Sequence, residues 1–203
     1  MNKVLKGFYM DKPVLLIDNF DSFTYMLADY IKQCGVDCFI LRNDDDELPR
    51  IDPKSFSALV ISPGPETPQL AGQLMQVIPA FLTAIPVLGI CLGHQAIGLH
   101  FGAELVQADN PRHGKVDQHH HFGNQLFFGV NEFFLATRYH SLILQNLPSV
   151  LNVICLCNND IMGLAHSSLP VYGLQFHPES CQTEGGFQMV KNFIDEAKRM
   201  AQI

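Results

Sequence analysis

The sequence predicts an α/β protein of three layers, a mostly parallel central sheet flanked by helices, with an antiparallel extension. Three observations carry this. Short β-branched and Leu-rich runs alternate with helical periodicity through the first half of the chain. The second half changes to closely spaced strand-like runs joined by short turns. The chain then closes on one long amphipathic pattern.

The first strand is Pro13-Val-Leu-Leu-Ile-Asp18, apolar throughout and so buried on both faces. Phe23, Leu27, Tyr30, Ile31 and Cys34 follow at spacings of three, four and seven, which predicts a helix with Ser22 as N-cap and Gly35 as its stop. Strands are expected over residues 37–41 and 58–62, a helix over 73–84, and a strand over 86–90. Beyond these, residues 125–136, 151–157, 161–166 and 171–176 read as strands, some of them antiparallel. Phe187, Val190, Phe193, Ile194, Ala197 and Met200 form the apolar face of the closing helix.

Composition narrows the class. In 203 residues, 47% are hydrophobic and 16% charged, which excludes a disordered chain. No Pro/Gly/Ser-rich linker divides the sequence, so one core is expected over residues 13–203, preceded by an extension at 1–12 in which Met10 offers an alternative start. With 13 Lys+Arg against 20 Asp+Glu the net charge is −7, and no basic run stands out, so neither nucleic acid nor an anionic membrane is an expected partner. The apolar runs fall far short of the ~20 residues that a bilayer span needs. The opening residues lack the apolar stretch of a secretory signal, so a cytoplasmic protein is expected. In such a compartment the six cysteines stay reduced. Alternation along 151–157 puts Cys155 and Cys157 on one strand face, where burial as small hydrophobes accounts for them better than a metal does.

The chemistry concentrates at Val87-Leu-Gly-Ile-Cys-Leu-Gly-His-Gln95. An apolar strand runs into Cys91, flanked two residues either side by Gly89 and Gly93 and followed by a helix-compatible segment. This is a nucleophile elbow with sulfur in place of hydroxyl. The new helix would present its positive end to Cys91, an arrangement that favours the thiolate. A cysteine nucleophile needs a base and a group to orient that base. His177 follows the strand 171–176, is stiffened by Pro178, and has Glu179 two residues on, where an extended chain would turn the carboxylate to the imidazole's side. An oxyanion needs paired N–H donors. One is expected from Leu92, the other from the turn Ser62-Pro-Gly-Pro-Glu66, in which Gly64 permits close approach.

Seven segments together resemble one family: Leu16-Ile-Asp-Asn-Phe-Asp-Ser-Phe-Thr24, Arg42-Asn-Asp44, Ser62-Pro-Gly-Pro65, Gly89-Ile-Cys-Leu-Gly-His-Gln95, His113-Gly-Lys115, Arg138-Tyr-His-Ser-Leu142 and Gly173-Leu-Gln-Phe-His-Pro-Glu-Ser180. In residues and order they are similar to the class I glutamine amidotransferases, and within them to the glutaminase component of anthranilate and aminodeoxychorismate synthases. The resemblance implies a flavodoxin-like fold and a triad of Cys91, His177 and Glu179 that needs neither metal nor cofactor. It also implies contacts to L-glutamine from Gly64, Pro65, Glu66, Gln95, Ser141 and Leu142. It further implies a heteromer in which ammonia passes to a synthase subunit that aminates chorismate. Two rivals remain on the residues alone: another γ-glutamyl hydrolase using the same elbow, and a catalytically silent interaction subunit whose pocket Glu66 closes.

Two departures within the resemblance set further expectations. The family's turn usually reads Pro-Gly-Pro-Gly, whereas Glu66 would bring a side chain and a negative charge to the pocket rim. After Lys115 the family usually has Ser and Ile where this chain has Asp117 and His119, giving the run His119-His120-His121, for which a solvated loop is expected.

Overall fold

The computed structural model describes residues 12–201; the extension proper and its Met10 fall outside that range. In chain order the elements are β1 Val14–Asp18, α1 Thr24–Gln33, β2 Cys38–Arg42, β3 Ala58–Ile61, α2 Leu74–Leu82, β4 Val87–Ile90, α3 Leu92–Phe101, β5 Glu104–Gln107, β6 Lys115–His121, β7 Phe133–Arg138, β8 Leu142–Gln145, β9 Leu151–Cys157, β10 Asp160–His166, β11 Val171–Leu174 and α4 Gly186–Ala201.

A nine-stranded sheet runs β2-β1-β3-β4-β11-β10-β9-β6-β7. Its first five strands are parallel, the other four antiparallel. Counting β11 as the fifth strand of the parallel half gives the order 2-1-3-4-5 of a flavodoxin-like sheet. β5 and β8 form a separate antiparallel pair. The strands β1, β3, β4 and β11 have almost no polar residue because both faces are covered: β3 reads Ala-Leu-Val-Ile and is wholly buried. One apolar cluster gathers α1 and α4 against one face through Leu27, Ile31, Val190 and Phe193. The other gathers α2 and α3 through Leu74, Ile78, Phe81 and Ile97.

Three sequence expectations are corrected. Ser22 is not the cap of α1: the N-cap position is Phe23, without a side-chain cap, and the turn is held by Asp18 and Asp21. Asp18 Oδ1 accepts from the Thr24 hydroxyl at 2.7 Å, and Asp21 Oδ1 from the Phe23 N–H at 2.8 Å. Residues 125–136 are not one strand: Asn124 Oδ1 accepts from the Leu126 N–H and closes a short 3-10 turn, Gly129 takes φ 80°, and β7 begins only at Phe133.

The three histidines are not a solvated loop either, but the end of β6, between β7 and β9. Alternation buries His119 and His121 and turns His120 outward. His121 stacks on Phe127 at 4.5 Å and His119 on Phe134 at 5.4 Å, so the imidazoles serve as aromatic core. Burial pushes His119 down to about 4, which keeps it neutral in that role. The Cys155 and Cys157 expectation agrees with the structure: both are buried on one face of β9, and all six cysteines are free thiols.

Candidate active site

The sites meet because their strands are neighbours. In register, Ile61 of β3 lies beside Gly89 of β4, and Gly89 beside Gly173 of β11. The turn after β3, Cys91 after β4, and His177 after β11 therefore emerge side by side at the carboxyl ends of adjacent parallel strands, the usual place for a ligand in such a sheet. A cavity of about 870 Å3 lies at the opposite end, lined by Ser57, Pro86 and Pro170 among others, which immediately precede β3, β4 and β11. It contains none of the chemistry-bearing side chains.

Cys91 takes φ 51° and ψ −98°, a conformation that side-chain-bearing residues rarely adopt, as the N-cap residue of α3. The flanking glycines are required by contact. A Cβ on Gly89 would lie 2.4 Å from the carbonyl carbon of Gly93, and one on Gly93 would lie 2.7 Å from Ile61 O. Their absence lets α3 start directly over β3 and β4. The Cys91 N–H is anchored to Leu174 O at 2.7 Å, which ties the elbow to β11.

His177 Nδ1 and Glu179 Oε1 are 2.6 Å apart, and both side chains are buried. Nε2 of the imidazole makes no conventional hydrogen bond and is left to interact with Cys91. Burial acts to depress the His177 pKa, but the interactions with Cys91 and Glu179 outweigh it and raise the imidazole to about 10. An imidazolium held between a sulfur and a carboxylate is the charge state that results. Two rings flank it edge-on, Tyr139 at 5.0 Å and Phe23 at 5.7 Å, and they pack on each other at 5.6 Å. Phe23 supplies this wall because the Asp21 carboxylate holds its backbone.

Gln175 is a contact the sequence reading missed. It is fully buried in the segment joining β11 to His177, and its Nε2 donates to Cys91 Sγ at 3.6 Å. A glutamine between Leu174 and Phe176 in an otherwise apolar strand was the available signal, since polar side chains are seldom buried without a partner. Gln95 on α3 links the nucleophile to the other expected substrate residues: its Nε2 donates to Leu142 O at 3.2 Å and to Gln175 Oε1 at 3.3 Å. Ser141, just before β8, is exposed, and its carbonyl accepts from the Ala108 N–H.

Gly64 packs close to the elbow. A Cβ there would lie 2.6 Å from Asn19 Cβ and 3.4 Å from Leu92 Cδ1. Among the described residues, neither the Gly64 N–H nor the Leu92 N–H donates to another group of the chain. Both donors are thus left free, a condition that an oxyanion site sets.

Glu66 is the odd member of this turn. It takes φ 62°, in the left-handed region where a Cβ is costly, which gives the physical reason for glycine at this position. Its side chain is exposed to solvent, so it does not plug the site. Glu66→Gly is expected to stabilise the protein by about 1 kcal/mol, read as a higher urea midpoint at unchanged m-value; a lower midpoint would contradict the strain.

The comparisons agree with this geometry. Residues 15–197 match the Glutamine amidotransferase class-I family. The chain is 41% identical over 189 residues to the aminodeoxychorismate/anthranilate synthase component 2 of Bacillus subtilis, covering 92% of this chain and 97% of that one. It is 43% identical over 189 residues to the aminodeoxychorismate synthase component 2 of Serratia marcescens, covering 90% and 99%. The bifunctional protein TrpGD of Thermotoga maritima is also 43% identical over 189 residues, 91% of this chain, but the match spans only 32% of that longer protein. A solved structure of a GMP synthase subunit from Thermoplasma acidophilum superposes with a TM-score of 0.84 at 26% identity, covering 94% of this chain and 96% of its own. Sequence and fold lead to one conclusion: the chain is an enzyme of the class I glutamine amidotransferase family.

Proposed function

We propose that the chain is the glutaminase subunit of a chorismate-aminating synthase, making ammonia from L-glutamine for anthranilate or aminodeoxychorismate formation in the cytoplasm. The observation that carries this is His177, bonded to Glu179 on one nitrogen and engaged with Cys91 through the other.

In this reading the Cys91 sulfur attacks the side-chain amide carbon of glutamine, and the resulting oxyanion is received by the N–H groups of Gly64 and Leu92. His177 gives its proton to the departing nitrogen, so ammonia leaves and a γ-glutamyl thioester remains. Water then attacks the thioester with His177 as base, and glutamate and the free thiol are restored. Glutamine and water are consumed; glutamate and ammonia are produced. Glu179 orients the imidazole and stabilises its charge. Gly64, Pro65, Glu66, Gln95, Ser141 and Leu142 surround the glutamine, and no metal or other cofactor takes part.

Ammonia released to water is protonated and loses its nucleophilicity, so the product is useful only where a second subunit receives it. The names of the relatives, component 2 of a synthase, support that partner. Neither nucleic acid nor membrane is called for, and among the described residues no helix is long and apolar enough to cross a bilayer. The test is to co-express the chain with the synthase subunit of its own source and supply chorismate and L-glutamine. Equimolar glutamate and aminated aromatic product are expected, with weak glutaminase activity for the chain alone. A preference for γ-glutamyl peptides, or full activity without the partner, would contradict the proposal.

A further inference from the structure

Ser62 sits where β3 ends and the Gly64 turn begins. It is fully buried, and its single hydroxyl is used three times, the longest contact coming from Asn19 Nδ2 at 3.5 Å. The hydroxyl accepts from the Asn19 N–H at 2.9 Å and donates to Pro63 O at 2.7 Å. Asn19 holds the same residue from its side chain, with Nδ2 donating to Ser62 O at 2.9 Å. Asn19 is held in turn by Asn43, whose Nδ2 donates to Asn19 Oδ1 at 3.0 Å. Asn43 is anchored outward, its carbonyl accepting from the Gln73 N–H at 2.8 Å. These three polar residues are buried and bonded in series, and none is hydrogen-bonded to the triad.

The consequence follows from peptide geometry. The carbonyl of Pro63 and the N–H of Gly64 belong to one planar trans unit and point in opposite directions. Whatever fixes the carbonyl aims the N–H. Glycine on the far side of that unit leaves rotation of the plane nearly unopposed by side-chain sterics, so some other restraint is needed. The Ser62 hydroxyl supplies one: the Asn19 N–H and Nδ2 both turn donors to its oxygen, so its proton is directed to the Pro63 carbonyl.

We propose that Ser62 is a positioning residue of the glutaminase, its hydroxyl clamping the Pro63–Gly64 peptide so that the Gly64 N–H is pre-aimed at the oxyanion, with Asn19 and Asn43 holding the clamp. This rests on the reading of Gly64 and Leu92 as oxyanion donors. It goes beyond that reading by naming what orients the first of them. A donor that must be reoriented during the reaction loses part of the 10²- to 10³-fold that one such donor contributes.

The test compares Ser62→Ala and Ser62→Thr in the full chain assembled with its synthase subunit. Ser62→Ala should lower kcat for glutamine about 10- to 100-fold while KM changes by less than about threefold, since only the transition state carries the oxyanion. Alkylation of Cys91 by iodoacetamide, which passes through no oxyanion, should stay within about threefold of the parent rate. Ser62→Thr, which keeps the hydroxyl, should recover most of kcat. If Ser62→Ala does not fold, Asn19→Asp removes the Nδ2 donor to Ser62 O and should give the same split with a smaller loss of kcat. An unchanged kcat in these variants, or a fall in alkylation that parallels kcat, would overturn the proposal. A parent complex that fails to hydrolyse glutamine would instead overturn the functional reading beneath it.

Discussion

Cys91→Ser should abolish glutamine-dependent synthesis by the assembled enzyme, a loss of at least about 10⁴-fold, while synthesis from added ammonium salts stays within about twofold of the parent. The asymmetry follows from where the sulfur stands. A serine hydroxyl is a far weaker nucleophile than the sulfur it replaces, and the imidazole beside it does not make up the difference. No thioester then forms and no ammonia is released from glutamine. External ammonia needs none of this machinery. Because Cys91 is buried at the junction of β4 and α3 and a hydroxyl is no larger than a thiol, the substitution should leave the fold and the partner contact in place. Equal loss of both activities would mean that Cys91 acts on the structure of the complex instead.

Glu179→Gln is expected to lower kcat for glutamine by about 10² to 10⁴ with little change in KM, and to move the alkaline limb of the pH profile to lower pH. The imidazole is raised to about 10 in the folded chain against burial, and the carboxylate at 2.6 Å is one of the two groups that raise it. Removing that charge lets burial pull the imidazole down, so the proton needed by the leaving ammonia is lost at a lower pH. Stability has a corresponding sign. A group whose pKa rises on folding stabilises the native state fully below its unfolded value, near 6.5, and this contribution disappears as pH rises toward about 10. The parent should therefore lose stability across that window relative to Glu179→Gln, as measured by urea midpoints at several pH values. Parallel pH profiles of activity for the two proteins would contradict the assigned role.

Much of this site was legible because its parts are local. The elbow needs Gly89 and Gly93 within two residues of Cys91, and the orienting carboxylate of Glu179 lies two residues from His177, so short-range geometry predicts both. What spacing alone could not give is the distance between residues 91 and 177. That is set by the pairing of β11 with β4, a choice of topology made by the whole sheet. Gln175 was hidden for a related reason: in sequence it interrupts an apolar run, and only the pairing reveals that its amide faces the sulfur.

The least legible part of the fold was the antiparallel half. There, His121 and His119 take places in the core that hydropathy assigns to solvent, covered by stacking on Phe127 and Phe134, and burial keeps His119 neutral. The strands β5 and β8 are only four residues each, too short for alternation to mark them, and they are held by pairing with each other. The start of α1 misled for the opposite reason. Ser22 has the composition of a cap, but Asp18 and Asp21 hold the turn instead, accepting from the N–H groups of Asp21 and Phe23 and from the Thr24 hydroxyl.

Labelling with a glutamine-mimicking diazoketone tests the convergence of the three side chains most directly. Protonation of the diazo carbon, with His177 as the proton source, makes dinitrogen a leaving group; the sulfur then attacks that carbon, a carbon–sulfur bond forms as dinitrogen departs, and mass spectrometry of the intact protein and its peptides can place the adduct. The account predicts one adduct per chain, on Cys91, slowed by L-glutamine in proportion to its occupancy and strongly diminished in His177→Ala. Labelling that is absent, that falls on the exposed Cys181, or that is indifferent to L-glutamine and to His177 would contradict it.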